Sequence, residues 1–251
     1  MKIGVSTCIF LDTDKNLEES LNILEKKVKY VELGCDGNLN IMSDKNIEIT
    51  KSYNLRYTLH CPITDLNISS YREKIRKVSL EFIKDILKCA IDINAKLIVL
   101  HPGYSVFKSD YKKSLSSLIK SLKELNKIQE EYGIQITIEN MPSYDMFMFR
   151  HPEKSIIENL GELKITFDIG HSFLNNNIKN FLEISDLIAH IHIHDNNGVF
   201  DEHLCIGKGK INFNDFKKDL KRINCIKMIE MQKKRLNDLD ICIQNLKELL
   251  K

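Results

Sequence analysis

The segment His190 to His203, "HIHIHDNNGVFDEH", holds four of the chain's eight histidines together with Asp195, Asp201 and Glu202. On an extended strand alternate residues share a face, so His190, His192 and His194 point one way while Ala189, Ile191 and Ile193 point the other. Stacked imidazoles inside a protein cannot all carry protons cheaply, and a cation that prefers neutral imidazole would account for them. Further ionisable residues stand where an apolar run stops: His60 after "LRYTL", His101 after "KLIVL", Glu139 in "IQITIEN", Asp168 with His171 in "FDIGH", and Glu230 in "CIKMIEM". Glu139, Asp168 and Glu230 gathered in one buried place would need a compensating positive charge. Mixed imidazole and carboxylate ligation suits Zn²⁺, Mn²⁺, Co²⁺ or Fe²⁺ better than Ca²⁺, with zinc or manganese expected first.

The elements that must position these residues are legible as alternating patterns. Short β-branched runs at 2–7, 29–34, 55–60, 96–101, 134–140, 163–169, 189–195 and 225–231 read as strands. Residues 71–91 read as a helix with Ile75, Val78, Phe82, Ile86 and Cys89 on its apolar face and Ser70 with Glu73 as a capping box. A second helix, over 110–132, carries Leu115, Leu118, Leu122 and Leu125 and ends at Gly133, and a last one runs from about Leu236. Strand and helix alternating over 251 residues give the count and size of a (β/α)8 TIM barrel, a single α/β domain spanning 1–251. An open doubly wound sheet is the competing arrangement, disfavoured because no G-x-G-x-x-G follows the first strand.

Composition narrows the setting. A charge of +2 from 37 basic and 35 acidic residues gives no electrostatic case for nucleic acid. No apolar run is long enough to cross a membrane, no secretory leader pattern opens the chain, and seven cysteines without a C-x-x-C read as reduced thiols, so a cytoplasmic setting is expected. Cys35, Cys61 and Cys205 read as small buried hydrophobes before soft ligands.

Taken in order, "LHCP" (59–62), "LHPG" (100–103), "IENMP" (138–142), "FDIGH" (167–171), "HIHDNNG" (192–198), "DEHLCIGKG" (201–209) and "IEM" (229–231) resemble the xylose isomerase-like TIM barrels. That superfamily holds sugar isomerases and epimerases alongside endonuclease IV-type abasic-site nucleases. The resemblance implies a first metal site at Glu139, Asp168, His192 and Glu230, as in the epimerase branch. It also implies additional ligands at His60, His101, His171, Asp201 and His203, where the nuclease branch completes a site of up to three zinc ions. The first reading is a metal-dependent isomerase or epimerase of a sugar or sugar phosphate working through an enediolate. In it Glu139 and Glu230 move the proton, His171 orients the substrate, and His60, His101, Glu32 and Lys208 contact it. Glu32 is expected at the rim, at the end of its strand, and Lys208 faces a phosphate if there is one. The alternative is a zinc-dependent AP endonuclease acting on abasic DNA. The chain departs from the nuclease pattern at "DIGHSFLNNN" and "HIHDNNG", and from the ketose epimerases in having no Arg or Lys between His192 and Lys208. His190 reads as a buried hydrogen-bonded histidine, and His194 and Asp195 as supports behind the ligands.

Overall fold

The computed structural model describes residues 1–11 and 13–251, and for 233–235 the backbone alone. Eight parallel strands run in chain order: β1 (Ile3–Ser6), β2 (Tyr30–Gly34), β3 (Arg56–His60), β4 (Leu97–Leu100), β5 (Gln135–Glu139), β6 (Lys164–Asp168), β7 (Ile188–Ile193) and β8 (Ile226–Ile229). β1 pairs with both β2 and β8, so the sheet closes into a barrel and the open doubly wound alternative is excluded. The helices between them are α1 (Leu17–Leu24), α2 (Asp44–Lys51), α3 (Glu73–Asp92), α4 (Tyr111–Tyr132), α5 (Lys154–Ile157), α6 (Ile169–Leu174), α7 (Ile178–Glu183), α8 (Lys217–Arg222) and α9 (Leu239–Leu249). Among the described residues no helix is long and apolar enough to cross a membrane.

Strand periodicity divides the side chains into two sets. Leu33, Leu59, Ile98, Ile138, Phe167 and Ile191 are fully buried and form, with the helices, the apolar layer around the barrel. On β2, β3, β5, β6 and β7 the alternate set is polar, with Glu32, Thr58, Thr137, Thr166, His190 and His192 buried as well, while β4 and β8 contribute Val99 and Met228 to that face. Register places Glu32 beside Thr58, Thr166 beside His190 and Asp168 beside His192. A barrel interior is ordinarily packed with branched aliphatic residues. This one instead keeps its polar groups in pairs, as in Thr137 Oγ1 to Thr166 Oγ1 at 2.6 Å.

Two expectations for α3 are corrected. The buried face is Leu80, Ile83, Leu87 and Ala90 with Ile86, whereas Ile75, Val78 and Phe82 are 47%, 66% and 37% exposed. Both stripes have helical spacing. The inner one is disguised by Arg76, which is buried because Glu73, Glu124 and Ser121 accept hydrogen bonds from its guanidinium at 2.6, 2.8 and 3.1 Å. The capping box does not form either: the helix starts at Glu73, and Ser70 Oγ accepts from the amide of Arg72. In α4, Leu118, Leu122 and Leu125 are buried, and Gly133 closes the helix at φ 66°, as its sequence implies. All seven cysteines are free thiols, and Cys35, Cys61 and Cys205 are buried.

Candidate metal centre

The carboxyl ends of β3 to β8 deliver their ionisable residues to one place. His192 Nδ1 lies 3.1 Å from Glu139 Oε1, 3.1 Å from Glu230 Oε2 and 3.9 Å from Asp168 Oδ2. One ligand atom from each of these four residues lies within 4.8 Å of the others, and all four residues are buried. Asp168 is held from two sides. Its Oδ1 accepts from the amide of His171, capping α6, and Asn140 ties its backbone on both atoms, accepting from Asp168 N at 2.8 Å and donating to Asp168 O at 2.9 Å. That leaves Asp168 Oδ2 aimed at the cluster without a hydrogen-bond partner.

Three of the remaining histidines arrive with a common orientation. His60 Nδ1 lies 2.7 Å from the carbonyl of Cys61, His171 Nδ1 2.8 Å from that of Asn140, and His203 Nδ1 3.0 Å from that of Glu230. A carbonyl only accepts, so each Nδ1 is the N–H, and each Nε2 is turned towards a carboxylate. His60 and His101 place Nε2 at 3.4 and 3.2 Å from Glu139 Oε2, which accepts no hydrogen bond. His171 and His203 place Nε2 at 3.1 Å from the same oxygen, Asp201 Oδ2. His194 Nε2 stands 3.2 Å from Asp168 Oδ1 and 3.6 Å from Asp201 Oδ1, its ring stacked 4.0 Å from that of His203. Among the described residues five overlapping groups have metal-ligand spacing: the first four residues, His60 with His101 and Glu139, His60 with His192 and Glu230, His171 with His194, Asp201 and His203, and, deeper in the barrel, Glu32 with His190 and His192.

Electrostatics tie these groups together. Burial alone would raise the carboxyl of Glu139, but His192, His101 and His60 outweigh it and hold the group well below the carboxylate range. Burial likewise opposes charge on His192, yet Glu32, Glu230 and Glu139 push it well above 6.5. By the same competition of burial against neighbours, Glu230 falls to about 2, His60 rises to about 9 and His203 to about 10. Without a cation, protonated imidazoles supply the positive charge that the carboxylates require. Buried carboxylate oxygens lacking hydrogen bonds, ringed by imidazole Nε2 atoms, are the donor set a borderline divalent ion takes, so the residues fit such an ion.

The structure brings together Glu139, Asp168, His192, Glu230, His60, His101, His171, Asp201 and His203. Of the other two sequence candidates, Glu32 does not reach the rim. Glu32 is 0% exposed because β2 continues two residues beyond it to Gly34, so it lies beneath the cluster and away from any substrate. Lys208 is exposed on the turn after β7. Two residues that sequence reasoning left as supports or strand ends prove to be fixtures. One is Asn140. The other is Asp195, whose carboxylate accepts from the amides of Asn196, Gly207, Gly209 and Ile211 and so pins the loop that carries Asp201 and His203. Glycine is required twice here. A Cβ on Gly209 would come within 2.3 Å of Asp195 Oδ1, and one on Gly170 within 2.0 Å of the His194 ring. His203 itself holds a left-handed backbone, φ 46°, unusual for a residue with a side chain and in keeping with a site where position matters.

Comparison with known proteins agrees with this architecture. An uncharacterized protein of Methanocaldococcus jannaschii is 77% identical over 251 residues, all of both chains. A structure described as a D-tagatose 3-epimerase-like protein superposes with a TM-score of 0.87 at 33% identity, covering 100% of this chain and 97% of that one. The IOLI protein with a bound zinc atom shares the fold, with a TM-score of 0.81 at 18% identity over 99% of this chain and 96% of its own. Residues 23–250 match the family described as xylose isomerase-like TIM barrel. With that match over nearly the whole length, the closed barrel and the likeness to the epimerase-like structure, the chain belongs to the xylose isomerase-like TIM barrel family.

Proposed function

We propose that the protein is a divalent-metal-dependent isomerase or epimerase acting on a sugar or sugar phosphate. The observation that carries this reading is the pair Glu139 and Glu230, each with a carboxylate oxygen 3.1 Å from the same nitrogen, His192 Nδ1, and with Asp168 beside them. The likeness to a D-tagatose 3-epimerase-like protein supports it. A divalent ion held by Glu139, Asp168, His192 and Glu230 would supply Lewis acidity, withdrawing electrons from a hydroxyketone and stabilising the negative charge that develops on its oxygen. The chain's own groups do the rest. Both glutamates are held below the carboxylate range, so each is an ionised acceptor at neutral pH. One takes the proton from the carbon next to the carbonyl. The same glutamate returning it to the neighbouring carbon gives the isomer, and a proton drawn from solvent and passed through the other glutamate to the opposite face gives the epimer. His171, fixed through Nδ1 to Asn140, orients a substrate hydroxyl, and His60 and His101 bound the opposite wall of the mouth. The test is proton exchange at the α-carbon of a panel of ketoses and their phosphates in deuterated water, followed by NMR with manganese- or zinc-loaded protein. Deuterium incorporation that disappears in E139Q and E230Q is expected. No exchange across the panel would contradict the reading.

The nine-residue assembly favours a second reading, a phosphodiesterase of the abasic-site endonuclease type, because the two outer groups offer ligands beyond the first four. Under it, two or three Zn²⁺ per chain accompany cleavage of abasic duplex DNA. A single ion per chain with uncut abasic DNA rules it out.

A further inference from the structure

His192 differs from the other histidines of the cluster in what stands behind it. His60, His171 and His203 each give Nδ1–H to a backbone carbonyl and offer Nε2. His192 is reversed: Nδ1 faces Glu139 and Glu230, and Nε2 lies 2.9 Å from Glu32 Oε1, deep in the barrel. Glu32 is itself fixed. Thr58 donates its hydroxyl to Oε2 at 3.0 Å, and His190 Nε2 stands 3.0 Å from the same oxygen. The His192 ring is bounded by His190 at 5.2 Å on one side and stacks on His60 at 5.8 Å on the other. Glu32, His190 and His192 are all 0% exposed, so no water can take over either contact. Both ring nitrogens face carboxylates, but Nδ1 is the one gathered with Glu139, Asp168 and Glu230, and an imidazole bound to a metal there keeps its only proton on the other nitrogen, Nε2, against Glu32.

We infer that Glu32 is a positioning residue for His192: held by Thr58 and His190, it fixes the Nε2–H tautomer and so dedicates Nδ1 to the metal, a conclusion that rests on reading Glu139, Asp168, His192 and Glu230 as a metal centre. The work that backbone carbonyls do for the outer histidines is done for the central one by a full negative charge. That charge strengthens the ligand as well as orienting it. Glu32 therefore acts through His192 and has no contact with substrate.

The test measures Zn²⁺ affinity by competition with a chromophoric chelator for wild type, E32Q and the near-isosteric T58V. Nitrogen-15 NMR of His192 in the zinc-loaded protein and the visible spectrum of the cobalt-loaded protein accompany it. E32Q is expected to lower affinity about 10- to 100-fold, the usual cost of losing a partner behind a metal-bound histidine. T58V is expected to lower it by a smaller factor, the wild-type His192 to show Nδ1 metal-bound and Nε2 protonated, and the cobalt bands to shift in E32Q. A purely structural Glu32 would lower the melting temperature and leave zinc affinity and the cobalt spectrum unchanged, and that result overturns the inference. If E32Q does not fold, unchanged affinity in T58V, or His192 bound to zinc through Nε2 in wild type, overturns it equally. Wild type that binds no zinc at all would instead remove the metal centre on which the inference stands.

Discussion

At the lower end of the barrel, Lys2, Lys29 and Lys96 stand just before β1, β2 and β4, and Arg56 and Lys164 begin β3 and β6, all of them in contact with solvent. At the upper end, His60, Glu139, Asp168, His192 and Glu230 are buried. The same polypeptide thus places ionisable groups at both ends of its strands under opposite conditions. A solvated lysine needs no partner, because water screens its charge. A buried carboxylate must be neutralised where it stands, and at the upper end each one shares its neighbours with another. Charge that a fold could solvate is inexpensive and says little. Charge that it buries and leaves short of hydrogen bonds marks a place prepared for something else, under the proposed function a cation.

The largest expected effect of disturbing this contrast is at the upper end. E139Q or E230Q, assayed by α-proton exchange with matched metal loading, should lose at least about 100-fold in rate, since each removes a proton acceptor. D195N comes next. Its carboxylate gathers four backbone amides under the loop bearing Asp201 and His203, and weakening that set should lower unfolding stability by about 1.5 to 3 kcal/mol in urea titration.

A third effect is pH dependence in metal-free protein, read as melting temperature against pH. The sign follows from the direction of each shift. His60 and His203 are raised to about 9 and about 10, and His171 and His192 well above 6.5. Their contribution is complete below pH 6.5 and is lost as pH rises through those folded values. Glu32, Glu139 and Glu230 are depressed below 4.5, so theirs is present above that value and is lost as pH falls, for Glu230 through about 2. Metal-free protein should therefore be most stable between about pH 4.5 and 6.5 and weaken steadily towards pH 10. Loading with Zn²⁺ should flatten the alkaline limb, because the ion replaces the protons the histidines hold. The smallest effect belongs to the lower end: K96A should stay within about 0.5 kcal/mol of wild type and leave metal affinity unchanged.

Much of this was readable from residue order, for a physical reason. In a parallel barrel each strand is an apolar run that must end at the mouth, so an acid or imidazole at the end of a run is placed by topology alone, as with His60, Glu139, Asp168 and Glu230. What failed to show depended on partners distant in sequence. The inner face of α3 was masked because Arg76 is acceptable in a core only with Glu73 and Glu124 beside it. Glu32 looked like a rim residue because nothing local reveals that Thr58 and two histidines of β7 await it inside. Asp195 was legible as a support, but not which groups it holds, because its partners are backbone amides, two of them in a glycine-containing turn.

The most direct test is elemental analysis of protein purified without chelator, alongside Zn²⁺ and Mn²⁺ titration of wild type and D168N. At least one divalent ion per chain, tightly held by wild type and lost in D168N, is the expected result. Wild-type protein that is folded, free of metal and unable to take up either ion would contradict the account at its centre.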